Sequence, residues 1–242
     1  MLKLIKDSLG KFNLTLTDKQ IEDIAFFLEE IYHSNQLFNL TGYKTKELIA
    51  EMLGVKTILL AQSLSYIFSN QSLNVIDIGT GAGIPGLIIK IIYPQLNVYL
   101  VDSNAKKITF INEVIKKLNF TGVFAILSRV EDNFFLKKYH GCFDYVFSQA
   151  VSKIAVLNEL GTQLLKINGQ IIHFKSRDYQ EEIEFAKKHL SDLGLAFNNL
   201  YHYQFNSYFL VNVFYNKKAI APQKYPREWS KIKRELIDDA KH

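Results

Sequence analysis

Asp77, Gly79, Gly81 and Gly83 alternate through the run VIDIGTGAGIPG, and Asp102 closes the apolar run Val98-Tyr99-Leu100-Val101 about 20 residues further on. Glycines at this spacing let backbone turn tightly and approach a ligand, because no Cβ atom stands in the way. An ionised carboxylate at the end of a strand can accept from both hydroxyls of a ribose. The whole stretch from 73 to 103, LNVIDIGTGAGIPGLIIKIIYPQLNVYLVDS, reads as strand, glycine turn, helix, strand and acid. That order is the first half of a nucleotide-type βαβ unit and narrows the chemistry to proteins that hold an adenosine.

The turn fits two registers. Read from Gly79, Asp77-x-Gly79-x-Gly81-x-Gly83 is the glycine turn typical of methyltransferases; read from Gly81, Gly81-Ala82-Gly83-Ile84-Pro85-Gly86 is a dinucleotide fingerprint. A strand expected at 73–78 ends at Gly79, so Gly79-Thr80-Gly81 make the tight turn, and no second nucleotide-binding half follows. The methyltransferase register is the better reading. Asp77 has two roles of equal weight, capping the turn or facing a ligand's ammonium group, since a buried charge needs a partner either way.

These residues require a particular scaffold. Strands are expected near 73–78, 97–102, 123–127, 143–148 and 170–175, with helical patterns near 85–92, 104–118, 153–166 and 178–193. Such alternation implies parallel strands joined by right-handed crossovers. Leu195 to Phe205 and Tyr208 to Tyr215, separated by Asn206-Ser207 alone, must be antiparallel to each other. Ahead of the sheet, Thr17 to Gln20 has the form of a capping box before a long amphipathic helix, and a second helical stretch runs from about Lys46 to Phe68 with Gly54 as its weak point. The expected division is a helical region 1–72 packed on the core, a core 73–216 and a basic extension 217–242, all in one domain.

A chain of 242 residues with 48% hydrophobic side chains can bury a full core without staples. Its single cysteine, Cys142, and the lack of any Cys/His cluster at zinc spacing predict no metal and a reducing, cytoplasmic setting. MLKLIKDSLGKF is interrupted by Lys3, Lys6 and Asp7, and no later segment holds 18 uncharged apolar residues, so neither a signal peptide nor a membrane span is expected. A net charge of +5 with pI near 9.0 is compatible with a polyanionic partner. From Lys217 to Arg234 seven basic residues (Lys217, Lys218, Lys224, Arg227, Lys231, Lys233, Arg234) face one acid, Glu228, with Tyr225 and Trp229 among them. That mixture fits phosphate contacts and base stacking on structured RNA. It fits equally a short helix whose Trp229, Ile232 and Leu236 pack inward while the lysines are solvated. Lys106, Lys107, Lys116 and Lys117 read as the solvated side of a sheet-covering helix.

Five alternating units followed by a β-hairpin resemble the class I S-adenosylmethionine-dependent methyltransferase fold: Rossmann-like α/β, a mostly parallel seven-stranded sheet, here with a helical N-terminal extension and a terminal antiparallel hairpin. In that class the loop after the third strand flanks the adenine, which would place Val130 against the ring and Glu131 or backbone at its amino group. Ser128 with Glu131 three residues on is also a capping box for the next helix. Phe143-Asp144-Tyr145-Val146-Phe147-Ser148-Gln149-Ala150 ends at the rim where substrate and methyl donor meet.

More specifically, the chain resembles the bacterial small-subunit (16S) ribosomal RNA guanine-N7 methyltransferases, also called glucose-inhibited division protein B. The resemblance rests on Asn35 with Asn39-Leu40-Thr41, on Asp77 through Gly86, on Leu100-Val101-Asp102-Ser103 followed by Lys106-Lys107-Ile108 and Phe110, on Ser128-Arg129-Val130-Glu131, on Phe143-Asp144, on Phe174-Lys175 after Gly169, and on Tyr225-Pro226-Arg227. It implies S-adenosyl-L-methionine as cofactor, held by Asp77, Gly79, Thr80, Gly81, Ala82, Gly83, Asp102, Ser103, Val130 and Glu131. It implies 16S ribosomal RNA or the small subunit as partner, met by Asn39, Lys175, Lys224, Arg227 and Lys231, with no membrane partner and a monomeric chain. Nitrogen 7 of guanine has a lone pair and no proton to lose, so alignment rather than a general base is needed, with Asp144, Ser148 and Gln149 as candidate positioning groups. Two departures stand out: Met52-Leu53-Gly54-Val55-Lys56 where the family carries His-Ile-x-Asp-Ser, and Ser148-Gln149-Ala150 where it carries Ser-Arg-Ala. The alternatives are a methyltransferase on a non-RNA substrate, and a nucleotide- or RNA-binding protein without catalysis.

Overall fold

The computed structural model describes residues 1–12, 15–68, 72–149, 151–176, 179–206 and 208–238. Its helices are α1 (Leu2–Lys11), α2 (Asp18–Leu37), α3 (Lys46–Leu48), α4 (Lys56–Gln62), α5 (Ser65–Phe68), α6 (Gly86–Ile92), α7 (Ala105–Lys117), α8 (Asn133–Tyr139), α9 (Ile154–Thr162), α10 (Tyr179–Lys187) and α11 (Trp229–Lys233), with π-helical segments at Ile49–Val55 and Arg234–Asp238. Its strands are β1 (Asn74–Ile78), β2 (Asn97–Asp102), β3 (Val123–Leu127), β4 (Phe143–Gln149), β5 (Leu165–Lys175), β6 (Leu195–Phe205) and β7 (Tyr208–Lys217). They form a seven-stranded sheet in the order β3-β2-β1-β4-β5-β7-β6. The pairs β1–β4, β2–β3 and β4–β5 are parallel, whereas β5–β7 and β6–β7 are antiparallel. The mostly parallel sheet with a terminal hairpin agrees with the sequence reading; Ala150 and Ser207 lie outside the described residues.

The chain divides into two compact units, the first comprising Met1–Ser72 and Thr80–Leu127, the second Leu73–Gly79 and Ser128–His242. In the first, the capping box forms as expected: Gln20 N–H donates to Thr17 Oγ1 at 3.2 Å and Thr17 N–H to Gln20 Oε1 at 3.0 Å. Behind it Ile24, Phe27, Leu28 and Ile31 are wholly buried, each such side chain stabilising the fold by about 1.5–3 kcal/mol. The Gln20 amide then donates to the Ile91 and Ile92 carbonyls, tying the start of α2 to the open C-terminal end of α6. Residues 46–68 depart from a continuous helix. The middle is the π-helical turn, and Gly54 within it is a close-packing site: a Cβ there would lie 2.6 Å from Leu28 Cδ1. Lys90 is buried on α6 and donates to the Pro94 and Leu96 carbonyls at 2.6 and 2.7 Å; burial lowers its pKa.

In the second unit α9 packs on β5, and α10 and the π-helical Arg234–Asp238 pack on α9. β5 begins at Leu165, earlier than expected, because Leu165 already pairs with Phe143 before a register shift. The helix after β3 is α8, capped by Asp132, whose Oδ1 accepts from Phe134 and Phe135 N–H at 3.0 and 3.1 Å. Ser128 is therefore not its cap; the Ser128 hydroxyl donates to the Arg129 carbonyl. Among the described residues no helix is long and apolar enough to cross a membrane, and no group of three or more His, Cys, Asp or Glu side chains could hold a metal ion.

Candidate functional site

In the first unit the glycine turn and the acid of β2 are joined directly. Thr80 N–H donates to the Val101 carbonyl at 3.0 Å, which brings the turn alongside the end of β2. Gly81 N–H donates to Asp102 Oδ2 and Asn104 N–H to Asp102 Oδ1, both at 2.9 Å. Each carboxylate oxygen thus has one backbone donor and retains a lone pair, and Lys107 Nζ lies 3.9 Å from Oδ2. The Asn104 side chain caps α7 by accepting from Lys106 and Lys107 N–H, so the carboxylate is held by a turn and a helix start, not by flexible loop. Gly81 has φ +60°, and a Cβ placed there would meet no atom closer than Lys107 Nζ, 4.0 Å away, so no side chain crowds the turn at this point. These residues fit a ribose-bearing ligand: a fixed acceptor pair beside bare backbone. Thr80 and Ala82 are buried and Ser103 is exposed.

In the second unit Gly79, at φ +67°, is packed against Val151, whose Cγ1 would be 2.7 Å from an added Cβ. Asp77 is wholly buried on β1. Val130 is buried, and the Glu131 side chain, 15% exposed, pairs with Arg129 at 3.5 Å. The residues of β4 are not brought together. Asp144 lies at the strand's amino-terminal end, where it accepts from Asn74 N–H at 2.9 Å and pairs with Lys166 at 2.8 Å. Ser148 and Gln149 lie at the carboxyl end. Ser148 is 1% exposed and hydrogen-bonds His173 Nδ1 at 2.8 Å, whereas the Gln149 side-chain oxygen is buried with no hydrogen-bond partner among the described residues.

The residues expected to meet RNA differ in their surroundings. Asn39 accepts from Lys44 Nζ at 2.6 Å on a loop cinched by buried Asn35, which bonds the Thr41 N–H and the Tyr43 carbonyl. Lys175 pairs with Glu182 at 2.7 Å, and Glu182 also accepts from the first amide of α9. Lys224 and Lys231 are exposed, Lys224 lying 5.0 Å over the Tyr225 ring. Arg227 instead turns inward: its Nε and Nη2 donate to both oxygens of buried Glu159, its backbone N–H to Oε1, and its Nη1 to Glu235. The hydrogen bond to Glu159 raises its pKa further. Lys217, the first cation of that run, is 2% exposed and donates to the Thr162 and Leu165 carbonyls. Ile232 and Leu236 are buried and Trp229 is 38% exposed, so this segment packs one face inward and solvates the other.

Sequence reading missed His173, Asn158 and Glu159, for which no local motif exists. Burial, and secondarily Lys175, lowers the His173 pKa to about 3 from 6.5, so the folded state holds it neutral while the unfolded chain takes up a proton below 6.5. Its contribution is fully present above pH 6.5 and is lost as pH falls toward 3. The expected loss is about 2 kcal/mol at pH 5, from roughly 1.5 pH units of unequal proton uptake. Urea unfolding of the wild type and of His173→Gln at pH 5 and pH 7.5 checks this; parallel pH profiles for the two would refute it.

A mostly parallel sheet ending in an antiparallel hairpin, with a glycine turn after its first strand and an acid closing its second, is the class I S-adenosylmethionine-dependent methyltransferase fold. Solved structures of similar fold include M. jannaschii TYW2 in complex with AdoMet (18% identity, TM-score 0.54, 67% of this chain and 77% of that one). Another is TrmN from Thermus thermophilus (16%, TM-score 0.51, 66% and 48%). Within that class the chain belongs to the GidB family, described as rRNA small subunit methyltransferase G, whose profile matches residues 20–206. The ribosomal RNA small subunit methyltransferase G of Mesoplasma florum is 34% identical over 235 residues (96% of this chain, 95% of that one), and that of Lactococcus lactis subsp. lactis 33% over 222 residues (91% and 92%).

Proposed function

We propose that the chain transfers a methyl group from S-adenosyl-L-methionine to nitrogen 7 of a guanine in 16S ribosomal RNA, working as a monomer in the cytoplasm. The observation that carries this is the Asp102 carboxylate, held by the Gly81 and Asn104 amides in a chain of this family. When bound, the donor supplies an electrophilic methyl on a sulfonium. Asp102 accepts from the two ribose hydroxyls, and the open backbone at Gly81 admits the ligand. The acceptor nitrogen carries its own lone pair, so the residues at the carboxyl end of β4 orient the base and remove no proton from it. Gln149, half-buried at that end, contacts the guanine through its side chain, whereas Asp144 stands at the other end of the strand. Mass spectrometry of ribosomal RNA from cells lacking the protein tests this. We expect 7-methylguanine to disappear from the 16S RNA and to return on complementation, and the pH dependence of the chemical step to be shallow near neutrality. A modification that persists in its absence would overturn the assignment.

RNA affinity rests on the outward face of the C-terminal segment, Lys224 and Lys231 included. Each phosphate neutralised adds about 0.7–0.9 to the salt slope of log affinity. Replacing both lysines with alanine should flatten that slope by about twice this amount while leaving donor affinity unchanged. An unaltered slope in filter binding across a salt series would remove this face from the RNA surface.

A further inference from the structure

Ser148, His173 and Asn158 form a chain of hydrogen bonds across β4, β5 and α9. Ser148 stands opposite His173 in the parallel register, with Oγ 2.8 Å from Nδ1, and His173 Nε2 lies 2.9 Å from Asn158 Oδ1. All three are 1% exposed or less. Asn158 Oδ1 can only accept, so Nε2 carries the ring proton, Nδ1 accepts, and the Ser148 hydroxyl donates inward. Its proton is committed, and none is left for a substrate. The ring is fixed further by Tyr215, edge-on with centroids 5.7 Å apart. Successive side chains on a strand alternate between faces, so pinning Ser148 to one face sets the direction of Gln149 on the other.

We propose that His173 is a positioning residue for the methyl acceptor: by holding Ser148 turned inward it fixes the carboxyl end of β4, so that Gln149, half-buried at that end, presents its side chain to the base. This rests on the guanine methyltransferase reading above. His173 touches no reacting atom, and Ser148 acts through the strand, not on the substrate.

The test is steady-state methylation of small-subunit RNA by the full chain, with kcat and the KM of each substrate measured for His173→Leu, His173→Gln, Ser148→Ala and the double variant Ser148→Ala/His173→Leu. Misplacing the base should lower kcat about ten- to a hundredfold in His173→Leu while the donor KM stays within about twofold. His173→Gln, whose amide can both accept and donate, should recover most of the rate. Ser148→Ala should match His173→Leu, and the double variant should lose no more than either alone, because both break one chain. If His173→Leu does not fold, Ser148→Ala carries the same expectation. It is then joined by long-range nitrogen NMR of the wild type, in which the Nδ1 signal should stay that of a hydrogen-bonded acceptor when RNA is added. A full rate in His173→Leu, additive losses, or an Nδ1 signal that moves on RNA binding as Ser148 turns outward would each overturn the proposal while leaving the methyltransferase reading in place. No transfer by the wild type would overturn both.

Discussion

Arg227→Ala should lower the stability of the chain by about 3–5 kcal/mol, the cost of removing one partner from a buried ion pair. The Glu159 side chain is 2% exposed and relies on Arg227 for three side-chain hydrogen bonds and one backbone hydrogen bond. Without the guanidinium that carboxylate stays buried in α9 with its charge uncompensated. The second partner, Glu235, is 42% exposed and can return to water, so the damage centres on Glu159. Denaturant unfolding of Arg227→Ala, Glu159→Gln and the double variant resolves the pair. The losses of the two single variants should sum to more than the loss of the double variant. A change within about 0.5 kcal/mol for Arg227→Ala, the ordinary range for a surface site, would refute the anchor. It also separates two roles that the basic run invites. Lys224 and Lys231 should alter RNA affinity without altering stability, whereas Arg227 should alter RNA affinity only through the fold.

Which of these features could be read from the chain follows from how far apart their parts lie. The glycine turn and Asp102 belong to one βαβ unit, so element order alone places the acid beside the turn, and the Gly81–Asp102 hydrogen bond follows. The capping box at Thr17 spans three residues and is equally local. Helix α1 is local as well: Leu2, Ile5 and Leu9 have helical spacing, Ile5 and Leu9 are buried, and Lys3, Lys6 and Asp7, which interrupt the apolar run, are exposed. Those charges are the solvated face of an amphipathic helix. The cap of α8 was displaced by competition, since Ser128 with Glu131 imitates the signature that Asp132 fulfils. Arg227 and Glu159 are 68 residues apart, and no spacing rule joins them. His173 meets Ser148 only through strand register, which a sequence does not display. Asp144 and Gln149 belong to one strand and look like neighbours in a motif, but strand direction sends them to opposite ends of the sheet.

Asp102→Ala should weaken binding of S-adenosyl-L-methionine by about 3 kcal/mol or more, roughly a hundredfold or more, because two charged hydrogen bonds to the ribose hydroxyls are lost together. The carboxylate is poised for both. Its two oxygens are already held by the Gly81 and Asn104 amides, so little ordering remains to be done when a ligand arrives. The same hydrogen bonds complicate the alanine variant, since removing the carboxylate also releases the Gly81 N–H. Asp102→Asn separates the two effects. It keeps one side-chain oxygen, which can accept from Gly81, but replaces the other acceptor with an amide donor and removes the charge. Donor affinity should therefore fall in both variants, and further in alanine, while circular dichroism shows the fold retained. Isothermal titration of the purified chain decides the matter. Equal affinity in the wild type and both variants would show that the ribose is held elsewhere, and binding of a nicotinamide dinucleotide in place of S-adenosyl-L-methionine would return the turn to its other register.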